Sequence, residues 1–225
     1  MPPPRRVPHG ERLAPNAVVG RVSLYLRQLE AFQRQGVETV SSSRLGSDLA
    51  INDAQVRKDL AFFGQFGHPG IGYRVVELIP ALRGILGIDR TWPTAMIGLG
   101  DLGRALIKYK GFRGRGFQVV ALFDNDPKKQ GATHGGLKVQ ALEELPTAAA
   151  TLGITLAILS IPADAAQRVA DLAVAAGIRG LLNFAPVSLV VPPSVSLMAV
   201  DLSIQLEHLA YKVQNRRGGG ISFAG

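Results

Sequence analysis

Three glycines mark the segment of this sequence with the clearest chemistry. Gly98, Gly100 and Gly103 form the pattern G-x-G-x-x-G between an apolar run at 94–97 and a helical pattern. The first glycine permits a tight turn, the second lets the backbone approach a pyrophosphate, and the third lets the helix pack on the strand. The N-terminus of that helix then faces the phosphates. An ordinary strand-to-helix turn is the alternative. The loop predicted to bind a dinucleotide comprises Gly98, Leu99, Gly100, Asp101, Leu102 and Gly103.

An acidic residue follows the glycine loop at the spacing that is typical of dinucleotide-binding domains. Asp124 follows the apolar run 117–123, about twenty residues after the glycine loop. A carboxylate in this place can accept hydrogen bonds from both hydroxyls of an adenosine ribose and would repel a ribose 2′-phosphate. The sequence therefore favours NAD(H) over NADP(H) as the cofactor, although Lys128 and Lys129 weaken the preference. A plain cap at the end of the strand is the alternative role for Asp124.

The sequence offers no group that would use the nicotinamide in catalysis. None of the four tyrosines is followed four residues later by a lysine, which removes one common hydride-transfer acid. His134 lies in a glycine-rich turn and His208 in the last helical pattern, and both are expected at the surface. With no cysteine and four scattered histidines, we expect no metal site. These absences favour a sensor that binds the cofactor over an enzyme.

The elements around the glycine loop follow a βαβ rhythm from residue 91 to residue 200, which predicts a Rossmann-type domain with a parallel sheet. The clearest intervening helix, at 163–176, is rich in alanine, as suits close packing on a sheet. A last helix is predicted within 201–213, from Leu202 to Val213, followed by a flexible tail at 214–225. The predicted strands cover 94–97, 117–123, 154–161, 180–183 and 195–200.

The N-terminal part of the chain has a helical pattern instead. A first helix is predicted to begin with Asn16 as its N-cap and to end at Gly36. The serines at 41–43 and the pair Asn52 and Gln55, which resembles a capping box, would start two further helices. A stretch at 66–73, rich in glycine between apolar flanks, predicts a β-hairpin wing, and a linking helix follows at 77–87. Residues 16–90 are therefore predicted to form a winged helix-turn-helix domain.

The third of these helices is predicted to be amphipathic. Val56, Leu60 and Phe63 fall within a narrow arc and should face the core. The opposite face is small and basic, and comprises Ala54, Lys58 and Ala61 with Arg57 at its edge.

Charge and composition fit a partner that is a polyanion. The formal net charge is +8, shared equally by residues 1–90 and 91–225. Residues 1–15 hold five of the 14 prolines and are expected to be a disordered arm. No apolar run is long enough to cross a membrane and no leader is evident, so we expect a cytoplasmic protein with no membrane contact.

The order and spacing of these motifs resemble one family. The segment 55–60 (Gln-Val-Arg-Lys-Asp-Leu), the wing, the glycine loop and the segment 183–186 (Asn-Phe-Ala-Pro) together resemble the Rex family of redox-sensing transcriptional repressors, over roughly residues 16–213. The resemblance implies a homodimer that binds palindromic operator DNA when NAD⁺ dominates and leaves it when NADH binds. It also implies that the last helix is exchanged between subunits, to pack between the partner's two domains. An ordinary capping helix is the alternative.

The resemblance assigns roles to individual residues. An apolar nicotinamide pocket would disfavour the cationic oxidised ring and so help to select NADH; its expected lining is Ile161, Pro162, Phe184, Ala185 and Pro186, although Ile161 could be simple core. The third helix would enter the major groove and the wing the minor groove. The expected DNA contacts are Ser43, Gln55, Arg57, Lys58, Gly67, His68 and Gly70. The expected switch residues are Arg27, Tyr109 and Asp201, whose plain alternatives are a solvated arginine, a partly buried tyrosine and a helix cap.

Two other functions fit part of the sequence. The C-terminal sheet alone would suit an enzyme of the CoA-binding or dehydrogenase type, but that interpretation leaves residues 1–90 unexplained. A DNA-binding protein with a purely structural Rossmann domain is the third possibility, and it would bind DNA without responding to nucleotide.

Overall fold

The computed structural model describes residues 13–217, with side chains as far as residue 215. The chain divides into two compact units, and the division falls between Arg90 and Thr91. Most of the predicted arm, residues 1–12, and the end of the predicted tail, residues 218–225, lie outside the described residues.

The first unit is a winged helix-turn-helix, as predicted. Its described elements are α1 (Asn16–Arg34), β1 (Thr39–Val40), α2 (Ser42–Ser47), α3 (Asp53–Phe63), β2 (Gly67–His68), β3 (Gly72–Arg74) and α4 (Val75–Ile85). The three short strands form an antiparallel sheet in the order β1–β3–β2. One apolar core joins the helices, and its members include Tyr25, Leu29, Val56, Leu60 and Leu82.

Two helix starts in this unit differ from the prediction. The N-cap of α1 is Pro15, and the predicted cap, Asn16, is the first residue of the helix. The linking helix α4 begins at Val75 instead of Glu77, because the backbone N–H of Val75 donates to the Glu38 carbonyl beside the small sheet. The helix therefore starts immediately after β3, with no intervening loop.

The caps of α2 and α3 follow the sequence signals in part. The Ser41 side chain caps α2, and the Asn52 side chain accepts a hydrogen bond of 2.7 Å from the Gln55 backbone N–H. The reciprocal half of the predicted capping box is not made, because the Gln55 side chain bonds Asp59 instead.

The second unit is the predicted Rossmann-type domain. Its described elements are β4 (Trp92–Ile97), α5 (Asp101–Lys108), α6 (Lys110–Arg113), β5 (Phe117–Phe123), β6 (Thr133–His134), β7 (Leu137–Gln140), a 3₁₀ turn (Leu142–Glu144), α7 (Leu145–Leu152), β8 (Leu156–Leu159), α8 (Ala163–Ala175), β9 (Gly180–Asn183), β10 (Ser196–Ala199) and α9 (Leu202–Arg217). The sheet order is β10–β9–β8–β4–β5–β7–β6, and every neighbouring pair is parallel except β6 with β7.

Some boundaries here also differ from the prediction. Strand β4 begins at Trp92 instead of residue 94, because the Trp92 N–H donates to the Gly116 carbonyl oxygen at 2.7 Å. The hairpin of β6 and β7 was not predicted. Helix α9 continues to Arg217, so the segment predicted as a flexible tail from residue 214 begins as helix.

The sheet places three loops at one edge. Because β9, β8 and β4 are parallel neighbours, the loops that follow their carboxyl ends lie on the same side of the domain. These are the glycine loop, the segment 160–162 and the segment 184–186. Among the described residues, no helix is long and apolar enough to cross a membrane.

Candidate nucleotide and DNA sites

Two of the three loop glycines are required by the fold itself. Gly98 has φ of +96°, and a Cβ there would lie 2.6 Å from the Ile161 side chain. A Cβ at Gly103 would collide with the Gly98 carbonyl oxygen and lie 2.8 Å from the Ser160 hydroxyl. Both glycines therefore let strand, loop and helix approach one another closely.

Gly100 is different, because nothing in the protein requires a glycine there. It caps α5 with φ of −72°, which any residue can adopt, and a Cβ on it would have no atom within 4 Å. A space left open above a helix N-terminus is what a phosphate group needs for close approach to the backbone. The residues present therefore fit a bound dinucleotide.

Of the other loop residues, Leu99 is buried, whereas Asp101 and Leu102 are exposed. The Leu99 side chain is fully buried and its N–H donates to Asp124, so neither of these groups is free for a ligand, and a cofactor contact at Leu99 stays a prediction. The Asp101 side chain is fully exposed and Leu102 is partly exposed. Arg104, which sequence reasoning missed, donates to the Leu99 carbonyl oxygen at 3.1 Å and pairs with Asp101, which places a cation beside the loop.

Asp124 holds the glycine loop to the end of β5. The residue is 5% exposed, and its carboxylate accepts hydrogen bonds from Leu99 N–H at 2.7 Å, Asp126 N–H at 2.9 Å and Lys129 Nζ at 3.0 Å. Burial alone would raise the pKa of Asp124, but these donors outweigh it and hold the pKa below its ordinary value. A ribose contact at Asp124 stays a prediction and would have to share oxygens that the protein already uses.

The expected nicotinamide pocket lies at the carboxyl ends of β8 and β9. Pro162 and Pro186 are exposed and Phe184 is half-buried, so these three can face a ligand. Ala185 is buried in the main core, and Ile161 packs against the same core, which leaves them less surface to offer.

Asn183 shapes this second loop, a role that sequence reasoning missed. The side chain is 1% exposed. Its Nδ2 donates to the carbonyl oxygens of Ala185 (3.1 Å) and Val187 (3.0 Å), and its Oδ1 accepts from the Ala185 N–H at 2.9 Å. By donating two hydrogen bonds and accepting one, this buried amide fixes the backbone path of the segment that carries Phe184 and Pro186.

The exposed face of α3 is the predicted small and basic surface. Ala54, Lys58 and Ala61 are exposed there. Arg57 is held by the Ser42 hydroxyl at 2.9 Å and by the Asp53 carboxylate at 2.6 Å, and this arginine lowers the pKa of Asp53.

The remaining predicted DNA contacts lie at the surface of the same unit. Ser43 is exposed in α2, and Gln55 is half-buried in α3. In the wing, Gly67, His68 and Gly70 are exposed, and the His68 ring lies 3.2 Å from the Glu77 carboxylate. An acidic neighbour at the wing is unfavourable to a phosphate contact, so the wing is the weaker half of the predicted surface.

The predicted switch residues occupy three separate elements. Arg27 is exposed on α1, and Tyr109 is 57% exposed between α5 and α6, with its ring edge-to-face on Phe112. The Asp201 carboxylate accepts from the Ser203 backbone N–H at 2.8 Å, which is the helix cap given as its plain alternative. Their change of partners stays a prediction. No group of acidic or histidine side chains suited to a metal ion occurs among the described residues.

Comparisons with known proteins cover both units. Residues 14–61 match the model for a putative DNA-binding protein N-terminus, and residues 89–187 match the model for a CoA binding domain. A curated relative from Desulfitobacterium hafniense, a redox-sensing transcriptional repressor Rex, is 44% identical over 90% of this chain and 97% of its own. A Rex protein from Syntrophomonas wolfei is 45% identical over 88% of this chain and 94% of its own.

Solved structures agree with these matches. The crystal structure of RSP in complex with β-NAD⁺ and operator DNA superposes with a TM-score of 0.87 at 35% identity, covering 94% of this chain and all of the other. RSP in complex with β-NADH gives a TM-score of 0.83, covering 92% of this chain and 97% of the other. With relatives this similar along nearly its whole length, the chain belongs to the Rex family of redox-sensing transcriptional repressors.

Proposed function

We propose that this protein is a DNA-binding transcriptional repressor that senses the NADH/NAD⁺ ratio, binding operator DNA when NAD⁺ dominates and leaving it when NADH binds. The observation that carries the proposal is Gly100, an open glycine at a helix N-terminus in a chain that also has an exposed basic recognition helix. The first feature suits a dinucleotide and the second suits DNA, and the family's name joins the two functions.

The glycine loop would hold the cofactor at its pyrophosphate. The free side of Gly100 and the N-terminus of α5 would face the phosphates, and Arg104 supplies a positive charge beside them. The bound nicotinamide would supply the redox signal, since its oxidised ring is a cation and its reduced ring is neutral. The apolar surface of Pro162, Phe184 and Pro186 favours the neutral form, because burying an unpaired charge is costly.

Helix α3 would read operator DNA in the major groove. Its small exposed residues allow close approach, while Arg57 and Lys58 can neutralise phosphates. Gln55 and Ser43 are the polar groups that we assign to bases or backbone, and Gly67, His68 and Gly70 would reach the minor groove.

Helix α9 would join two subunits. Every residue from Leu202 to Asn215 is exposed, and the exposed set includes six large apolar side chains: Leu202, Ile204, Leu206, Leu209, Tyr211 and Val213. An apolar helix left uncovered in the monomer suits exchange with a second copy, which would make the repressor a homodimer on a palindromic operator. We place Arg27, Tyr109 and Asp201 at the contacts that change with cofactor.

Catalysis forms no part of the proposal, since the curated relatives are repressors. We place the protein in the cytoplasm, where a regulator meets both DNA and the NAD(H) pool. A CoA ligand is the second candidate, because the match at residues 89–187 is to a CoA binding domain.

The proposal is tested by fluorescence anisotropy on promoter DNA at fixed salt, with NAD⁺, NADH and CoA added separately. We expect NADH to release the protein from the DNA, and NAD⁺ and CoA to leave it bound. Release by CoA and not by NADH would favour the second candidate. The variant Gly100→Ala should still bind DNA but should no longer be released by NADH, because its methyl group occupies the approach to the phosphates. The matched control is Gly114→Ala, at an exposed position with φ of −65° and no atom closer than 3.9 Å to the added Cβ.

A further inference from the structure

A carboxylate is buried between α1 and α3 of the first unit. Asp59, on the inner side of α3, is 2% exposed. It accepts four hydrogen bonds: from Arg21 Nε (2.6 Å) and Nη2 (2.8 Å), from the Tyr25 hydroxyl (2.8 Å) and from Gln55 Nε2 (2.7 Å). Two of its partners lie on α1, and the third is a predicted DNA contact.

The surroundings of Asp59 keep it ionised. Burial opposes the charged form, but the hydrogen bonds from Arg21, Tyr25 and Gln55 outweigh burial and lower the pKa of Asp59. An ionised carboxylate can only accept hydrogen bonds. Every group that faces it must therefore present a donor.

This requirement orients the amide of Gln55. The amide has one donor end and one acceptor end, and only the nitrogen can face Asp59. The carbonyl oxygen Oε1 is consequently turned away from Asp59. Because Gln55 is half-buried, one turn before Asp59 and next in sequence to the exposed Ala54, its outer end belongs to the face that would meet DNA.

We propose that Asp59 is a positioning residue that fixes the polarity of Gln55, so that Gln55 reads the operator as a hydrogen-bond acceptor. The base that it recognises would carry an exocyclic amino group in the major groove, adenine N6 or cytosine N4. Guanine O6 and thymine O4 are acceptors and would oppose the Gln55 oxygen. The inference rests on the proposed function, since it requires a sequence-specific operator.

The test uses the full-length protein with NAD⁺ at fixed salt, on operator duplexes altered one base at a time. Each adenine of a half-site is replaced by purine, and each cytosine by 2-pyrimidinone, which removes the amino group alone. Wild-type protein should lose about tenfold in affinity at one position, as expected for a specific base contact. Gln55→Ala should bind the unaltered operator more weakly than wild type does. Removal of the amino group at that position should then cause no further loss of affinity.

Asp59→Asn separates positioning from folding. Asparagine can donate as well as accept, so the Gln55 amide is free to turn over, and the loss at the same position should shrink to less than about threefold. Tyr25→Phe is the matched control, because it removes a hydrogen bond to Asp59 but leaves the bond to Gln55. Tyr25→Phe should lower the melting temperature. It should still lose about tenfold in affinity when the amino group of the recognised base is removed.

A second variant serves where Asp59→Asn does not fold. Gln55→Lys keeps a donor towards Asp59 but offers the DNA no acceptor, so removal of the amino group at that position should cost it no affinity. An undiminished tenfold loss at that position in Asp59→Asn, Gln55→Ala or Gln55→Lys would overturn the inference. Binding by wild type with no sequence preference would instead overturn the proposed function, and the inference with it.

Discussion

Replacing Asp124 with asparagine should loosen the glycine loop at the point where β5 ends. The amide cannot accept hydrogen bonds from all three groups that donate to the carboxylate. The hydrogen bond from the Leu99 N–H is buried, so water cannot replace the lost acceptor. A buried N–H left without an acceptor costs about 1–3 kcal/mol. The lost ion pair with Lys129, whose side chain is 36% exposed, adds less than about 1 kcal/mol. The free energy of unfolding should therefore fall by about 2 kcal/mol.

The assay combines urea unfolding with calorimetric titration of NADH and of an analogue that lacks the adenosine 2′-hydroxyl. If Asp124 acts by holding the loop, Asp124→Asn should weaken both ligands by the same factor. Lys129→Met, which removes only the ion pair, should have a smaller effect on unfolding. If the variant binds NADH more weakly but binds the analogue as well as wild type does, the carboxylate serves the ribose and not the loop.

Three further predictions concern other parts of the chain. Asn183→Asp removes both hydrogen bonds that this side chain donates to loop carbonyls. It should weaken NADH binding by about fivefold or more, because an unsatisfied buried group costs about 1–3 kcal/mol. Unchanged affinity by calorimetry would exclude the role of this amide in shaping the pocket. Asp59 and Asp124 have lowered pKa values, so the stability that they contribute is present above the unfolded pKa of about 3.9 and is lost as pH falls through the lower folded values. Urea unfolding from pH 6 to about pH 3 should show this loss, and a flat profile would contradict it. Leu206→Lys should convert the dimer to monomer in sedimentation equilibrium, and Asn215→Lys on the same helix should not; a dimer in both would remove α9 from the interface.

Features determined by a few neighbouring residues could be predicted from the sequence. Asn52 caps α3, Gly98 makes the turn after β4, and the apolar arc of α3 faces the core. In each case the physical requirement, an orphan N–H, a positive φ or a 3.6-residue period, is satisfied within one turn or one period of the chain.

Features that depend on distant partners could not be predicted. Arg21 and Asp59 are 38 residues apart, and no local pattern indicates that a carboxylate within a recognition helix points inward. Asp124 matched the ribose position by spacing, yet its orientation is decided by Leu99 and Lys129. The hairpin of β6 and β7 escaped prediction because its strands are two and four residues long, too short for an alternating pattern to be recognised.

In the proposed function, the ratio of NADH to NAD⁺ sets the occupancy of the operator. The most direct measurement is anisotropy of labelled operator DNA at fixed salt and fixed total nucleotide, while the fraction present as NADH is raised stepwise. Bound DNA should fall as that fraction rises, and the curve should stay the same when total nucleotide is doubled under saturating conditions. Occupancy that follows total nucleotide, or that does not change with the NADH fraction, would contradict control of DNA binding by the ratio.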